Sequence, residues 1–134
     1  MEIRRVDHVA MVVEDLDRAV ETYRRLFGAE VEMSETLAAQ GVEAAMLRLG
    51  DGRVELIAPL GDDSGIARFL AKRGPGMHHV AFEVDDVGDA LAALAAAGAT
   101  LIDTQSREGL GGREVAFVHP ESVDGVLVEV VSRD

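Results

Sequence analysis

The stretch Gly76-Met77-His78-His79-Val80-Ala81-Phe82-Glu83-Val84-Asp85-Asp86 reads as a buried strand running into the start of a helix. An earlier stretch, Asp7-His8-Val9-Ala10-Met11-Val12-Val13-Glu14-Asp15, repeats it. When His8 is aligned with His79, Val9 meets Val80, Ala10 meets Ala81, Val13 meets Val84 and Asp15 meets Asp86. All are identities at one offset of 71 positions, from 8 to 79. That offset is about half of the 134 residues, so the pattern predicts two copies of one module. The two histidines then occupy equivalent places.

Working outward, residues 3–13 read as the first strand, apolar on both faces from Val9 to Val13. Asp15 suits the N-cap of a helix over 16–27, with Leu16, Ala19, Val20, Tyr23 and Phe27 on one face and Gly28 ending it. Strands are predicted over 29–36, 42–49 and 53–58, the last two joined by a hairpin at Gly50-Asp51-Gly52. Pro59 closes this module. A capped helix over 62–74 and a Gly-Pro-Gly linker at 74–76 form the boundary. The second module repeats the order: a strand at 77–84, a helix over 87–97 capped by Asp85 or Asp86, and strands at 100–104, 113–118 and 125–132.

Each module is thus strand, helix, strand, strand, strand. One such module cannot cover both faces of its sheet. The expected fold is α+β: a single domain over 1–134, with module one about 1–60, a linker helix about 62–74 and module two about 76–134. The two βαβββ modules would pair into a curved eight-stranded sheet or open barrel around a metal site.

Composition narrows the function. A hydrophobic content of 48% predicts a folded globule, with an aliphatic core because there is no Trp, one Tyr and four Phe. A formal charge of −12 argues against nucleic acid and anionic membrane surfaces as partners. Without cysteine there is no disulfide, no thiolate metal site and no thiol nucleophile. The start, Met1-Glu2-Ile3-Arg4-Arg5, lacks the apolar run of a signal peptide, and no apolar segment reaches membrane-spanning length. The expected location is the cytoplasm.

Four polar residues interrupt aliphatic strands. His8 and His79 each sit in a Val/Ala run; taken singly, each reads as a core histidine held by a backbone hydrogen bond. Their shared repeat position favours a joint role. His78 breaks the repeat, since its counterpart is Asp7, and it reads as structural or as support for the site. Glu55, in Val54-Glu55-Leu56-Ile57, and Glu129, in Val128-Glu129-Val130-Val131, are carboxylates in the last strand of each module. Their offset, 74 from 55 to 129, is close to that of the histidines. The plain alternative for each is an outward residue on a half-exposed strand, but apolar neighbours on both faces oppose it. A buried lone carboxylate is costly unless it is paired or bound to metal. Two imidazoles and two carboxylates suit a divalent cation such as Co, Ni, Mn, Fe or Zn. In a six-coordinate ion two positions stay open. Such an ion polarises a carbonyl, and flanking carboxylates move protons.

These features resemble the vicinal oxygen chelate superfamily, which includes glyoxalase I, extradiol dioxygenases and antibiotic-resistance proteins. The similarity is to its methylmalonyl-CoA epimerase family and spans nearly the whole chain. Beyond the two histidine stretches it is carried by Gln40-Gly41-Val42, Val54–Leu60, Asp63–Leu70, Phe117-Val118-His119-Pro120 and Gly125–Glu129. The resemblance implies that His8, Glu55, His79 and Glu129 hold a metal, cobalt first, with Ni, Mn, Zn or Fe as alternatives. It implies epimerisation at C2 of methylmalonyl-CoA through a metal-stabilised enolate, with carboxylates as acid and base, and a homodimer. Where some bacterial relatives carry a glutamate base, two residues after Gln-Gly-Val, this chain has Ala44. The adjacent Glu43 would need a bulge to reach the same face. The catalytic candidates are therefore Glu129, Glu55 and Glu43.

For an acyl-CoA substrate, Gly111 and Gly112 are candidates to turn backbone N–H groups toward a carboxylate or phosphate, with a plain flexible turn as the alternative. Arg113, Lys72 and Arg73 are candidates for the coenzyme A phosphates. A glyoxalase I-type lyase, which uses a similar ligand set, is the rival enzyme. A non-catalytic small-molecule-binding protein of the same superfamily is the rival outside enzymes.

Overall fold

The computed structural model describes residues 1–133. The elements are β1 (Ile3–Val12), α1 (Leu16–Phe27), β2 (Glu30–Leu37), β3 (Val42–Leu49), β4 (Gly52–Pro59), α2 (Gly65–Arg73), β5 (Gly76–Val84), α3 (Val87–Ala96), β6 (Arg107–Glu108), β7 (Glu114–Val118) and β8 (Val128–Val131). The order βαβββ occurs twice, with α2 between the copies. The strands form one eight-stranded sheet in the order β2-β3-β4-β1-β5-β8-β7-β6. Read outward from β1 and from β5, the two halves of this order correspond strand for strand.

Contacts divide the chain into two compact units, Val9–His78 on one hand and Met1–His8 with the chain from His79 onward on the other. The units cut across the sequence repeats, because the division falls inside β1 and inside β5.

In the Val9–His78 unit, β1 runs parallel to β4, with Val9 opposite Val54 and Ala10 opposite Glu55. The β3–β4 ladder is antiparallel and unbroken from Val42↔Pro59 to Leu49↔Gly52. Helix α1 starts where the Asp15 carboxylate accepts the Arg18 N–H at 3.0 Å. It stops at Gly28, whose φ of 66° is left-handed. Its Leu16, Ala19, Val20 and Tyr23 pack on Leu47 and Leu56. Phe27 lies beyond this stripe, 62% exposed, with its ring edge-on to Tyr23. The linker helix is shorter than 62–74: Ser64 caps it by accepting the Ala67 N–H, so Asp62 and Asp63 stay outside.

In the other unit, β5 runs parallel to β8, with Ala81 opposite Glu129. Antiparallel β7 follows, placing Phe117 opposite Glu129. The cap of α3 is Asp86, whose carboxylate accepts the Asp89 N–H at 2.8 Å. Asp85 is taken by the Arg4 guanidinium at 2.7 Å. The core here joins Val84, Val87, Ala90, Leu91, Ala116 and Val130.

Two predicted strands change. The segment 100–104 is not a strand but a single bridge, Leu101↔Val118. The Phe117 N–H donates to the Asp103 carboxylate at 2.8 Å, so a side chain takes the place a ladder carbonyl would fill. The paired strand comes later, at Arg107–Glu108. The last strand begins at Val128, not 125, because Gly125 has a φ of 88° and its N–H closes a turn onto the Pro120 carbonyl. Leu47 and Leu56, both 0% exposed, should respond alike to truncation. Leu56→Ala is expected to cost about 2–5 kcal/mol in chemical denaturation; a loss below 1 kcal/mol would mean that α1 does not seal this core.

Candidate active site

Three of the four interrupting residues come together within one unit. β1 supplies His8, β5 supplies His79 and β8 supplies Glu129. They are 4%, 4% and 5% exposed. One ligand atom from each lies within 4.8 Å of the others. The His8 Nε2 is 3.5 Å from one oxygen of Glu129, and the His79 Nε2 is 3.5 Å from the other. The rings stand edge to face with centroids 5.6 Å apart. The Phe117 ring backs His79 edge-on at 5.1 Å, and the Arg107 guanidinium lies 5.2 Å over Phe117.

The donor set fits a divalent cation. Ligands roughly 2.1 Å from a shared ion lie about 3.0–3.4 Å from one another in octahedral or tetrahedral arrangements. The two 3.5 Å separations, one to each Glu129 oxygen, fall just outside that range, and the three ligand atoms together lie within 4.8 Å. A carboxylate buried against two imidazoles also gains most from a positive charge placed between them.

Behind His8 stands a pair that the sequence did not flag. His8 Nδ1 is 2.8 Å from Asp7 Oδ2. Arg113 donates to both Asp7 oxygens, Nη1 to Oδ2 and Nη2 to Oδ1, each at 2.9 Å. Arg113 also donates to the Ser132 carbonyl from Nε at 2.9 Å and from Nη2 at 2.6 Å. Burial alone would raise the Asp7 carboxyl; the hydrogen bonds from His8 and Arg113 and the guanidinium charge outweigh it and hold the carboxyl well below the usual range. The signal that could have found Asp7 is its place beside a ligand histidine. Arg113, a candidate for phosphate by sequence, is only 10% exposed along its side chain and is engaged inside the unit.

The other candidates lie as follows. Glu55 is on β4 in the Val9–His78 unit, 8% exposed. It faces Ala10 as Glu129 faces Ala81. Since Ala10 and Ala81 are repeat-equivalent, register makes the two glutamates equivalent and absorbs the difference between offsets 74 and 71. His78 is half-buried against Phe69 at 5.1 Å and is outside the cluster. Burial lowers its pKa, against the opposing pull of the nearby Glu55 charge.

Glu43 faces Ala58, whereas Glu55 faces Met46. Alternation therefore puts Glu43 on the face opposite Glu55. No bulge interrupts β3 against β4, so the rescue that Glu43 needed is missing and it is withdrawn as a base. Across β2, Glu35 faces Ala44, which faces Ile57. Glu35 thus shares the face of Glu55, a placement invisible in the sequence because β2 is otherwise an exposed polar strand. Gly111 and Gly112 have φ of 73° and 74°, left-handed values that favour glycine in this turn. Lys72 is exposed in the last turn of α2, in the Val9–His78 unit.

Residues 7–117 match the model of the Glyoxalase/Bleomycin resistance protein/Dioxygenase superfamily. The chain belongs to that superfamily. The methylmalonyl-CoA epimerase of Bos taurus, a mitochondrial protein, is 40% identical over 94% of this chain and 73% of its own length. An ethylmalonyl-CoA/methylmalonyl-CoA epimerase of Cereibacter sphaeroides is 38% identical over 96% of this chain and 97% of its own. A solved methylmalonyl-CoA epimerase in complex with methylmalonyl-CoA and ammonium superposes with a TM-score of 0.93 at 36% identity, covering 98% and 95% of the two chains. Within the superfamily, these relatives mark the epimerase branch. No helix among the described residues is long and apolar enough to cross a membrane.

The Asp7 pair has a pH signature. A folded carboxyl depressed below its unfolded value, near pH 4, stabilises the fold above that pH and loses the contribution as pH falls. In denaturation of the metal-free protein, the stability deficit of Asp7→Asn relative to wild type is expected to narrow as pH drops from about 5 to 2. A deficit that stays constant would mean that Asp7 is not ionised in the fold.

Proposed function

We propose that this chain is a methylmalonyl-CoA epimerase, moving a proton on and off C2 of the acyl-CoA thioester. The observation that carries the reading is the buried His8, His79 and Glu129 cluster in a chain whose relatives act on this substrate. In this reading the three residues hold a divalent cation, cobalt first, with nickel, manganese, zinc or iron as alternatives. Glu55 is the fourth ligand, supported by its register equivalence to Glu129. A cation held there supplies polarisation of the thioester carbonyl, which acidifies the C2 proton.

The chain's own residues do the rest. A carboxylate has two oxygens, so one can serve the cation while the other exchanges a proton. We assign Glu55 and Glu129 to the two faces of C2, one taking the proton and the other returning it. Both glutamates are buried, which keeps bulk water from the proton-transfer groups. Gly111 and Gly112 offer backbone N–H groups to the substrate carboxylate, and Lys72 meets the coenzyme A phosphates. The same reading takes the whole chain as one functional domain, working as a cytoplasmic homodimer. The homodimer rests on the family resemblance.

The test is incubation of metal-loaded protein with methylmalonyl-CoA in deuterated water. Deuterium is expected at C2; turnover of a glutathione hemithioacetal in its place would sink the epimerase reading. Ethylmalonyl-CoA belongs in the same assay, given the Cereibacter relative. Glu55→Gln is expected to lower kcat by about 100-fold or more, while Glu43→Ala stays within about twofold of wild type. A loss in Glu35→Gln equal to that in Glu55→Gln would move the second proton-transfer role to β2.

A further inference from the structure

We infer that Asp7 and Arg113 are positioning residues that fix His8 in the tautomer with its proton on Nδ1, aiming the Nε2 lone pair at the space shared with His79 and Glu129. The inference deepens the metal reading above and rests on it for its consequence, though not for its geometry.

Donors and acceptors around Asp7 set the tautomer. Arg113 lays its guanidinium fork on Asp7, giving each carboxylate oxygen an N–H at 2.9 Å. An aspartate held this way is ionised and has no proton to give. The His8 Nδ1, which also contacts Oδ2 at 2.8 Å, must then be the donor. A neutral imidazole with its proton on Nδ1 carries its lone pair on Nε2. That nitrogen is the one 3.5 Å from Glu129. Imidazole ligands commonly donate their other N–H to a carboxylate, which sets ring orientation and raises ligand basicity.

The fork is itself anchored. Two further N–H groups of Arg113 go to the Ser132 carbonyl just past β8, and the Ser132 Oγ accepts the Glu114 N–H at 3.0 Å. Arg113 therefore ties the start of β7 and the end of β8, the strand of Glu129, to the residue preceding His8 on β1. The pair fixes the ring of one ligand and the strand of another at the same point.

The repeat makes the device asymmetric. The counterpart of Asp7 in the second module is His78, so His79 has no carboxylate at the equivalent place. Its ring rests instead on the edge of Phe117. The Asp7–Arg113 pair thus belongs to the first module's histidine.

The direct test needs no metal. Long-range nitrogen–proton NMR of labelled, metal-free protein, followed upward in pH from about 8 until the His8 signals show a neutral ring, reports which His8 nitrogen carries the proton. Nδ1 protonation is expected in wild type; a wild-type His8 protonated on Nε2 overturns the inference whatever the variants do. Asp7→Asn leaves one oxygen for three N–H groups, so the His8 signals should leave the single-tautomer positions. Metal affinity by chelator competition should fall about 10–100-fold. Arg113→Lys keeps the charge but not the fork, and a smaller, several-fold loss of affinity with partial tautomer mixing is expected; it serves if Asp7→Asn does not fold. Folded variants with wild-type tautomer and affinity would overturn the proposal. Failure of the epimerase reading looks different: a correctly protonated His8 and tight metal binding without exchange at C2 leave the positioning role standing.

Discussion

A carboxylate that is 5% exposed, wedged between two imidazole nitrogens and flanked by valines, is the constraint on which this fold turns. An ionised Glu129 in that setting is tolerable only if positive charge meets it. The two imidazoles carry positive charge only when protonated, and the half-buried Arg113 lies on Asp7. The three side chains together suit a metal ion placed between them. Three strands, β1, β5 and β8, must keep their registers within a fraction of a strand repeat for the three side chains to converge.

Strand register is what enforces this. Ala81 opposite Glu129 and Ala10 opposite Glu55 set a small residue across from each carboxylate. The alanine Cβ leaves room on that face for the longer side chains beside it. A one-residue slip in β8 would send Glu129 to the other face and replace it with a valine. The parallel pairings are secured by aliphatic cores on the helix sides, Leu47 and Leu56 under α1 and Val84, Val87 and Val130 under α3. Stability thus comes from the helix-covered faces, and the opposite faces are free to carry charge.

Much of this was legible beforehand because the repeat is nearly exact where it matters. His8 and His79 stand out as polar residues in aliphatic runs, and Glu55 and Glu129 as carboxylates in last strands. Helix ends were legible at Asp15 and Gly28, and at Asp86 as one of two candidates, but the Ser64 cap of α2 was missed. For Glu43 the sequence left the bulge open, because that is set by the neighbouring strand; the β3–β4 register has none. The segment 100–104 was misjudged because Asp103 turns its carboxylate onto the Phe117 N–H, a competition between side chain and ladder that periodicity does not register.

The sequence by itself determined the two βαβββ modules, the aliphatic core, the net charge of −12 and the four residues worth testing as ligands. Those follow from local patterns, which act over a few residues and repeat with the chain. Only the tertiary structure decided that His8 belongs in one compact unit with His79 and Glu129, and that Arg113 serves Asp7. It also decided that Glu35, not Glu43, shares a face with Glu55. Each of these depends on which strands lie side by side and in what register. Arg113 and Asp7 are separated by 106 positions, and no spacing rule joins them until β1, β7 and β8 are packed.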